Sequence, residues 1–287
     1  MLIVGCGYLG RQVAAHYLES GLPVTGLVRS AQSAQALTEQ GLLPLQVDLD
    51  RAEVPGLPSK GAQVFYFAPP PERGVSDPRL RRVIDSLPDN GQPQRIVYVS
   101  TTGVYGDCQG CWVDETHPVN PQADRALRRL DAERALQTWS GETGGQLVIL
   151  RVAGIYGPGK LPLQRLRQGL PVVRESESPF TNRIHILDLV EVCVAAMERG
   201  VSGRVYHACD GHPGTMAEYF RRLAALAGLP PPPEIPLAEA PRRLSPGMLS
   251  YMQESRRLRN RRITEELGVR LRYPTLDIGL PACFAGD

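Results

Sequence analysis

Lysine is almost missing from this chain of 287 residues. The sequence contains 32 lysines and arginines together, but lysine occurs only at Lys60 and Lys160. Any chemistry that requires a catalytic lysine is therefore restricted to two positions. The formal net charge is only +2, which indicates neither a nucleic-acid-binding surface nor a membrane-binding one. We therefore expect no nucleic-acid partner and no membrane partner.

Long apolar runs are also absent. No stretch approaches the ~20 apolar residues that a membrane-spanning helix needs, and the sequence begins with a short apolar run, not a charged leader. A cytoplasmic location is the expectation. The six cysteines are scattered and lie mostly in apolar surroundings, which is typical of reduced thiols and not of a disulfide framework.

One pair of cysteines has the spacing Cys-x-x-Cys. Cys108 and Cys111 form this pair, but no second pair follows to complete a zinc site. We therefore predict no metal site. A redox switch formed by these two thiols is the minor alternative.

A glycine-rich turn stands near the N terminus. The apolar residues 2–4 precede it, and helical spacing resumes over 13–18. In the spacing Gly-x-Gly-x-x-Gly, one glycine makes the turn, one lets a pyrophosphate approach the backbone, and one lets the helix pack closely on the strand. The helix N terminus then faces the phosphate charge. This motif predicts a dinucleotide-binding site, with a plain strand-turn-helix connection as the alternative; its residues are Gly5, Cys6, Gly7, Tyr8, Leu9 and Gly10.

The end of the second predicted strand bears on the choice of cofactor. That strand covers 23–28 and is followed by Arg29 and Ser30, where proteins that bind NAD carry an acidic residue for the ribose. An arginine at this point favours the 2′-phosphate of NADP, and Arg11 adds a second positive charge nearby. The sequence therefore predicts NADP as the cofactor, with NAD as the alternative.

Strand and helix patterns alternate along the first 210 residues. This alternation predicts an α/β fold with a Rossmann-like, doubly wound parallel sheet. We expect 1–210 to form the dinucleotide-binding domain and 211–287 to form a smaller C-terminal substrate lobe, to which 161–180 is a further candidate contributor. After the first two strands, further strands are predicted over 43–47, 63–67, 95–100, 146–150 and 205–208, and helices over 31–40, 77–87, 127–136, 186–199 and 216–227.

Five stretches, in this order, resemble the extended short-chain dehydrogenases of the NAD-dependent epimerase/dehydratase family. The resemblance implies a nucleotide-sugar-like or small carbonyl substrate and a homodimer. The stretches are the glycine turn, Ser-Thr-Thr-Gly-Val-Tyr-Gly-Asp at 100–107, Leu-Arg-Val-Ala-Gly-Ile-Tyr-Gly-Pro-Gly at 150–159, Asn-Arg-Ile-His-Ile-Leu-Asp at 182–188, and 267–274.

The same resemblance implies roles for individual residues. Asp48 and Leu49 occupy the positions that contact the adenine of the cofactor in the family, and Ala68 occupies the position beside the cofactor ribose. Thr101 stands where the family's serine or threonine forms a hydrogen bond to the reacting oxygen. We therefore predict that Thr101 orients the substrate.

The tyrosine and lysine of the family's catalytic pair are replaced. Family chemistry uses a tyrosine as acid and base, with a lysine four residues later on the same helix face. The resemblance aligns Arg125 with the tyrosine and Arg129 with the lysine. Because arginine stays protonated, Arg125 cannot donate and recover a proton, whereas Arg129 can still bind a ribose or a phosphate. Tyr105 is the candidate for a substitute phenol, although a packed loop tyrosine is the interpretation that the sequence favours.

One Tyr-x-x-x-Lys sequence does occur, at Tyr156 and Lys160. The glycines and proline between these residues break a helix, so we predict that they do not form a catalytic pair. Two functions stay open. The chain is either an oxidoreductase or epimerase, in which Tyr105 or a water relay carries the proton, or a catalytically inactive NADP-binding sensor or scaffold.

Overall fold

The predicted strands form one parallel sheet. The structure, a computed structural model, describes residues 1–51, 54–88 and 92–284. The strands of this sheet are β1 (Leu2–Val4), β2 (Thr25–Val28), β3 (Leu43–Gln46), β4 (Gln63–Tyr66), β5 (Arg95–Thr101), β6 (Gln146–Val152) and β7 (Val205–Ala208). The seven strands lie in the order β7-β6-β5-β4-β1-β2-β3, and all neighbours run parallel. The order reverses between β1 and β4, which is the doubly wound arrangement and confirms the predicted fold class.

Helices connect the strands, and further short helices follow the sheet. Those after β7 belong to the less regular C-terminal region. The helices are α1 (Tyr8–Glu19), α2 (Ala31–Glu39), α3 (Pro78–Asp85), α4 (Asp124–Thr143), α5 (Leu163–Arg167), α6 (Ile186–Arg199), α7 (Met216–Leu226), α8 (Ala240–Arg243), α9 (Pro246–Met252), α10 (Arg261–Glu265) and α11 (Leu276–Ala282).

Helix α4 is longer at both ends than the sequence pattern predicts. Apolar periodicity marks only its buried stripe, whereas polar turns extend the helix at each end. Asp124 places a negative charge in the first turn, which the helix dipole favours. Gly144 ends the helix in the left-handed conformation at φ +72°.

Two apolar layers cover the two faces of the sheet. Alternate strand residues such as Ile3 and Val97 pack against α1 and α6, whereas their neighbours Leu2 and Ile96 pack against α3 and α4. This period of two, with both faces buried, is what a parallel sheet between helices requires.

The C-terminal region packs on the segment before α6. Leu166 and Val172 lie in one apolar cluster with Phe220 and Leu223 of α7. The chain also pairs 172–173 with 234–235, and 112–113 with 257–258. These contacts place the C-terminal region beside the carboxyl edge of the sheet. Within the described residues, no helix combines the length and the apolar character needed to cross a membrane.

Candidate functional site

A cavity of about 690 Å³ opens at the carboxyl ends of β1, β2 and β4. Doubly wound sheets bind their ligands at this edge, and the volume is within the range of small-molecule sites. Of the predicted cofactor residues only Ser30 does not line it, because its Oγ caps α2 by accepting a hydrogen bond from the Ser33 nitrogen at 3.2 Å. The predicted residues that line the cavity are Gly5, Cys6, Gly7, Tyr8, Leu9, Gly10, Arg29, Asp48, Leu49, Ala68 and Arg129.

The three glycines of the turn have different surroundings. Gly5 has φ +87°, and a Cβ there would lie 2.4 Å from the Ala68 nitrogen. A Cβ on Gly10 would lie 3.1 Å from Cγ2 of Ile3, where helix and strand pack closely. A Cβ on Gly7 would meet no protein atom within 4 Å, so this position faces the open cavity. The first turn of α1 has neither a side-chain cap nor an acidic residue, which leaves its N–H groups for an anion.

An ion pair neutralises one of the three acidic residues that line this cavity, Asp50. The guanidinium of Arg79 donates two hydrogen bonds to Asp50, at 2.7 and 2.6 Å. The hydrogen bond from Arg79 lowers the pKa of that carboxyl. The exposed Arg29, at the end of β2, makes no ion pair within the described residues.

A second cavity of about 700 Å³ adjoins the first. Both are lined by Pro69, Val99, Arg129 and Ile155, so the two cavities share a wall. Thr101 lines the second cavity at the end of β5, and its Oγ1 accepts a hydrogen bond from the Gly103 nitrogen at 3.2 Å.

Arg125 and Arg129, which the resemblance aligns with the family's tyrosine and lysine, both line the second cavity. Arg129 lies at the junction, where its Nη1 donates to the Val99 oxygen at 3.0 Å. Arg125 lies farther out, with its guanidinium 4.3 Å from the centre of the Tyr251 ring and its Nη1 2.5 Å from Oγ of Ser250. Their spacing of four residues on one helix places both on the same face.

Tyr105 lines neither cavity. Only 1% of it is exposed, and its hydroxyl oxygen accepts a hydrogen bond from Nη1 of Arg151 at 2.8 Å. Nε2 of His207 lies 2.6 Å away. Burial raises the pKa of Tyr105 to about 12. The structure therefore places Thr101 on the wall of the second cavity and Tyr105 in the core.

Tyr156 and Lys160 do not share a helix. Tyr156 ends a short strand over 154–156 and is buried, whereas Lys160 follows a turn and approaches the ring of Tyr8 at 5.3 Å. The two side chains therefore do not share the helix face that the family's catalytic pair requires. Cys108 and Cys111 are free thiols.

Sequence reasoning did not identify the residues that the C-terminal half contributes to the second cavity. Arg183, Arg256 and the side chains of Met216 and Met248 line it. Arg183 lies within the family-like stretch at 182–188, but nothing in the sequence shows which way its side chain points.

Comparison with known proteins places this geometry in a family. A sequence model of the "NAD dependent epimerase/dehydratase family" matches residues 79–209. Protein YeeZ of Escherichia coli is 30% identical over 243 residues, which are 80% of this chain and 84% of that protein. The 4-hydroxy-2-methyl-3-oxo-4-farnesyl-3,4-dihydroquinoline-1-oxide ketoreductase of Stigmatella aurantiaca is 27% identical, over 78% of this chain and 72% of that protein.

The fold agrees with these sequence matches. The solved structure of a functionally unknown conserved protein from Silicibacter pomeroyi superposes with a TM-score of 0.85 and 33% identity, over 98% of this chain and 96% of that one. The family includes oxidoreductases and epimerases, and its members bind a nicotinamide dinucleotide. The glycine turn, the doubly wound sheet and the matched relatives together show that this chain belongs to the NAD-dependent epimerase/dehydratase family.

Proposed function

We propose that the chain is an NADP(H)-dependent oxidoreductase that acts on a small carbonyl substrate. The observation that carries this proposal is the junction of the two cavities at Val99 and Arg129, with Thr101 on the wall of the second. A protein that only senses or stores a cofactor does not need a second cavity. The likeness to a ketoreductase favours carbonyl chemistry among the activities of the family.

The residues of the first cavity fit the dinucleotide. Gly7 leaves room for a pyrophosphate against the open N–H groups of α1. Arg29 is the cation that would bind the 2′-phosphate of NADP. Arg11 lines the same cavity, and its buried Nε has no hydrogen-bond partner in the described ranges of the chain. Because Asp50 is already paired with Arg79, it offers little repulsion to a phosphate. When bound, the cofactor supplies or accepts a hydride.

Two residues act on the substrate oxygen in this proposal. The hydroxyl of Thr101 is free to donate a hydrogen bond to the carbonyl oxygen, because its Oγ1 is engaged only as an acceptor. The guanidinium of Arg129 adds positive potential close to the charge that develops on that oxygen. Neither residue delivers a proton, since arginine does not titrate and Thr101 is not acidic. Tyr105 is engaged in the core, so a water in the second cavity carries the proton.

Fluorescence titration with NADPH and NADH tests the cofactor part of the proposal. The Arg29→Asp variant is expected to weaken NADPH binding by about 10- to 100-fold, because it replaces a charge-assisted contact by repulsion, and to leave NADH binding nearly unchanged. Arg243→Asp is the matched control, since Arg243 is exposed and lines neither cavity.

Loss of NADPH absorbance with a panel of small carbonyl compounds then tests turnover. Failure of the wild-type protein to bind either cofactor would contradict the whole proposal. Tight NADPH binding without turnover on any compound would contradict the assigned reaction and support the sensor or scaffold function instead.

A further inference from the structure

Arg183 places a cation on the second cavity without a carboxylate partner. It lies in the short strand 183–185, which pairs with 154–156. Its guanidinium stacks 3.8 Å from the centre of the Tyr219 ring, and its Nη2 donates to the sulfur of Met216, at 3.4 Å. Its Nε is buried and finds no hydrogen-bond partner among the residues that the structure describes. Within the described part of the chain, no carboxylate oxygen lies within 4.0 Å of it.

The other arginines of the second cavity already have partners. Arg125 and Arg256 share the carboxylate of Glu254, at 3.5 and 3.0 Å. Arg128 donates to the Gly74 oxygen at 2.6 Å, and Arg129 donates to the Val99 oxygen at 3.0 Å. Arg183 is therefore the arginine of this cavity whose donors are least satisfied.

The carboxyl of Asp210 forms no ion pair with Arg183 within the described residues. The two side chains do interact electrostatically. Burial raises the pKa of Asp210 to about 7, so this carboxyl is partly protonated at neutral pH. Among the residues that line the cavity, arginines outnumber glutamates, and the only two acidic side chains are Glu72 and Glu254.

An unpaired guanidinium next to a cavity destabilises the folded protein unless an anion binds to it. Taking a charge out of water carries a large penalty, which a partner of opposite charge offsets. The planar fork of arginine binds the two oxygens of a carboxylate or a phosphate at once. Gly154 makes room for this fork, since a Cβ there would lie 2.9 Å from Nη1 of Arg183.

We propose that Arg183 binds an anionic group, a carboxylate or a phosphate, on the carbonyl substrate of the second cavity. This inference rests on the proposed function and specifies its substrate class. The body of the substrate lies against Met216, Met248 and Phe180, which line the same cavity. The substrate is thus an anion with an apolar body.

Sheet register places Arg183 near the proposed reacting position. Thr101 is the cross-strand partner of Val152, and Gly154, two residues later, is the partner of Arg183. Thr101 and Arg183 therefore lie on one wall, separated by a short segment of chain. A small molecule that fills a cavity of about 700 Å³ contacts both.

Isothermal titration with benzoate, its neutral isostere benzamide, and inorganic phosphate tests the site, with and without NADPH. Wild-type protein is expected to bind benzoate or phosphate at millimolar concentration and to bind benzamide more weakly. Arg183→Met is expected to lower the affinity for the bound anion at least about tenfold, because a charge-assisted hydrogen bond is lost. The control Arg243→Met is expected to bind the anion like the wild type.

Two further measurements separate binding from folding. Methionine keeps the unbranched apolar stem of the side chain and removes a poorly satisfied charge, so Arg183→Met is expected to melt at or above the temperature of the wild type without ligand. Gly154→Ala is expected to displace the guanidinium of Arg183 and to lower the affinity for the anion, while the affinity for NADPH stays unchanged.

The outcomes distinguish this inference from the proposed function. If the wild type and Arg183→Met bound the anion equally well, the inference would be overturned even if NADPH turnover were found. It would also be overturned if the wild type bound neither benzoate nor phosphate. Preference for benzoate assigns a carboxylate, and preference for phosphate assigns a phosphate; both support the site. If Arg183→Met lost anion binding but the wild type bound no NADPH, the anion site would stand. Only the proposed oxidoreductase function would then be overturned.

Discussion

The hydroxyl of Tyr105 connects Arg151 to His207 inside the protein. Because Arg151 donates to the phenol oxygen at 2.8 Å, the phenol proton points to Nε2 of His207, 2.6 Å away. His207 then carries its proton on Nδ1, which donates to the Arg259 oxygen at 2.9 Å. Burial lowers the pKa of His207 to about 4, so the imidazole is neutral at neutral pH. This chain of hydrogen bonds ties the end of the sheet to the C-terminal region.

Tyr105→Phe is expected to reduce stability and to leave cofactor binding intact. The substitution removes one hydroxyl and leaves donors of Arg151 and an acceptor of His207 without a partner, which costs about 1–3 kcal/mol. Urea unfolding and NADPH titration of the same variant measure the two effects. A variant with wild-type stability that lost hydride transfer would show instead that the phenol takes part in the reaction.

Thr101→Ala is expected to have the opposite profile. Removal of the hydroxyl that orients the substrate oxygen is expected to slow NADPH oxidation by about 10²- to 10³-fold. The cost in stability is about 0.5–2 kcal/mol, since only the hydrogen bond from the Gly103 nitrogen is lost. Thr101→Ser keeps the hydroxyl and is the control. Single-turnover rates for the three proteins check the prediction, and an unchanged rate in Thr101→Ala would contradict it.

Alanine substitutions at two glycines separate folding from cofactor binding. Gly5→Ala is expected to lower stability by more than about 2 kcal/mol, because φ is +87° and the new methyl group meets the backbone of Ala68. Gly7→Ala meets no protein atom, so it is expected to cost less stability and to weaken NADPH binding more than about tenfold by filling the pyrophosphate space. Thermal unfolding and titration of both variants test this. Equal effects of the two on both properties would exclude the assigned roles.

Asp210 is expected to make stability depend on pH. Burial raises the pKa of Asp210 from 3.8 to about 7 in the folded protein, so the folded state holds the proton more tightly than the unfolded state. Its contribution to stability is complete below about pH 4 and is lost as the pH rises through about 7. The amide of Asp210→Asn does not titrate.

The difference between Asp210→Asn and the wild type isolates this effect. The variant is expected to be more stable than the wild type by more than about 1 kcal/mol at pH 8 and by little at pH 4. His185 and His207, whose pKa values burial lowers to about 4, change stability in the opposite direction, but both proteins contain them. A difference in stability that does not vary with pH would contradict the shift.

The first half of the site is readable from the sequence because its elements are local. The glycine turn and Arg29 each follow a strand directly, and Ala68 stands two residues after the end of β4. Parallel strands bring their carboxyl ends to one edge. Alternation of apolar runs is enough to predict that edge. The same reasoning places Thr101 at the end of β5.

The second half depends on contacts between distant parts of the chain. Tyr105 stands four residues after Thr101, yet the polypeptide turns it into the core toward Arg151 and His207. No sequence pattern reports this direction, because the partners lie 46 and 102 residues away. The sequence pattern does not predict the two ends of α4 for a related reason. The end turns are polar, so apolar residues do not recur there at helical spacing.

The sequence by itself determined the sheet, its parallel order and the cofactor edge, because these follow from local periodicity, glycine spacing and the residues that end each strand. Only the tertiary structure decided which side chains meet in the second cavity. It brings Arg183 beside Gly154 and Tyr219, and it buries Tyr105 in the core, away from the second cavity. Side-chain direction and charge compensation depend on long-range packing, and that packing is specified by the whole fold.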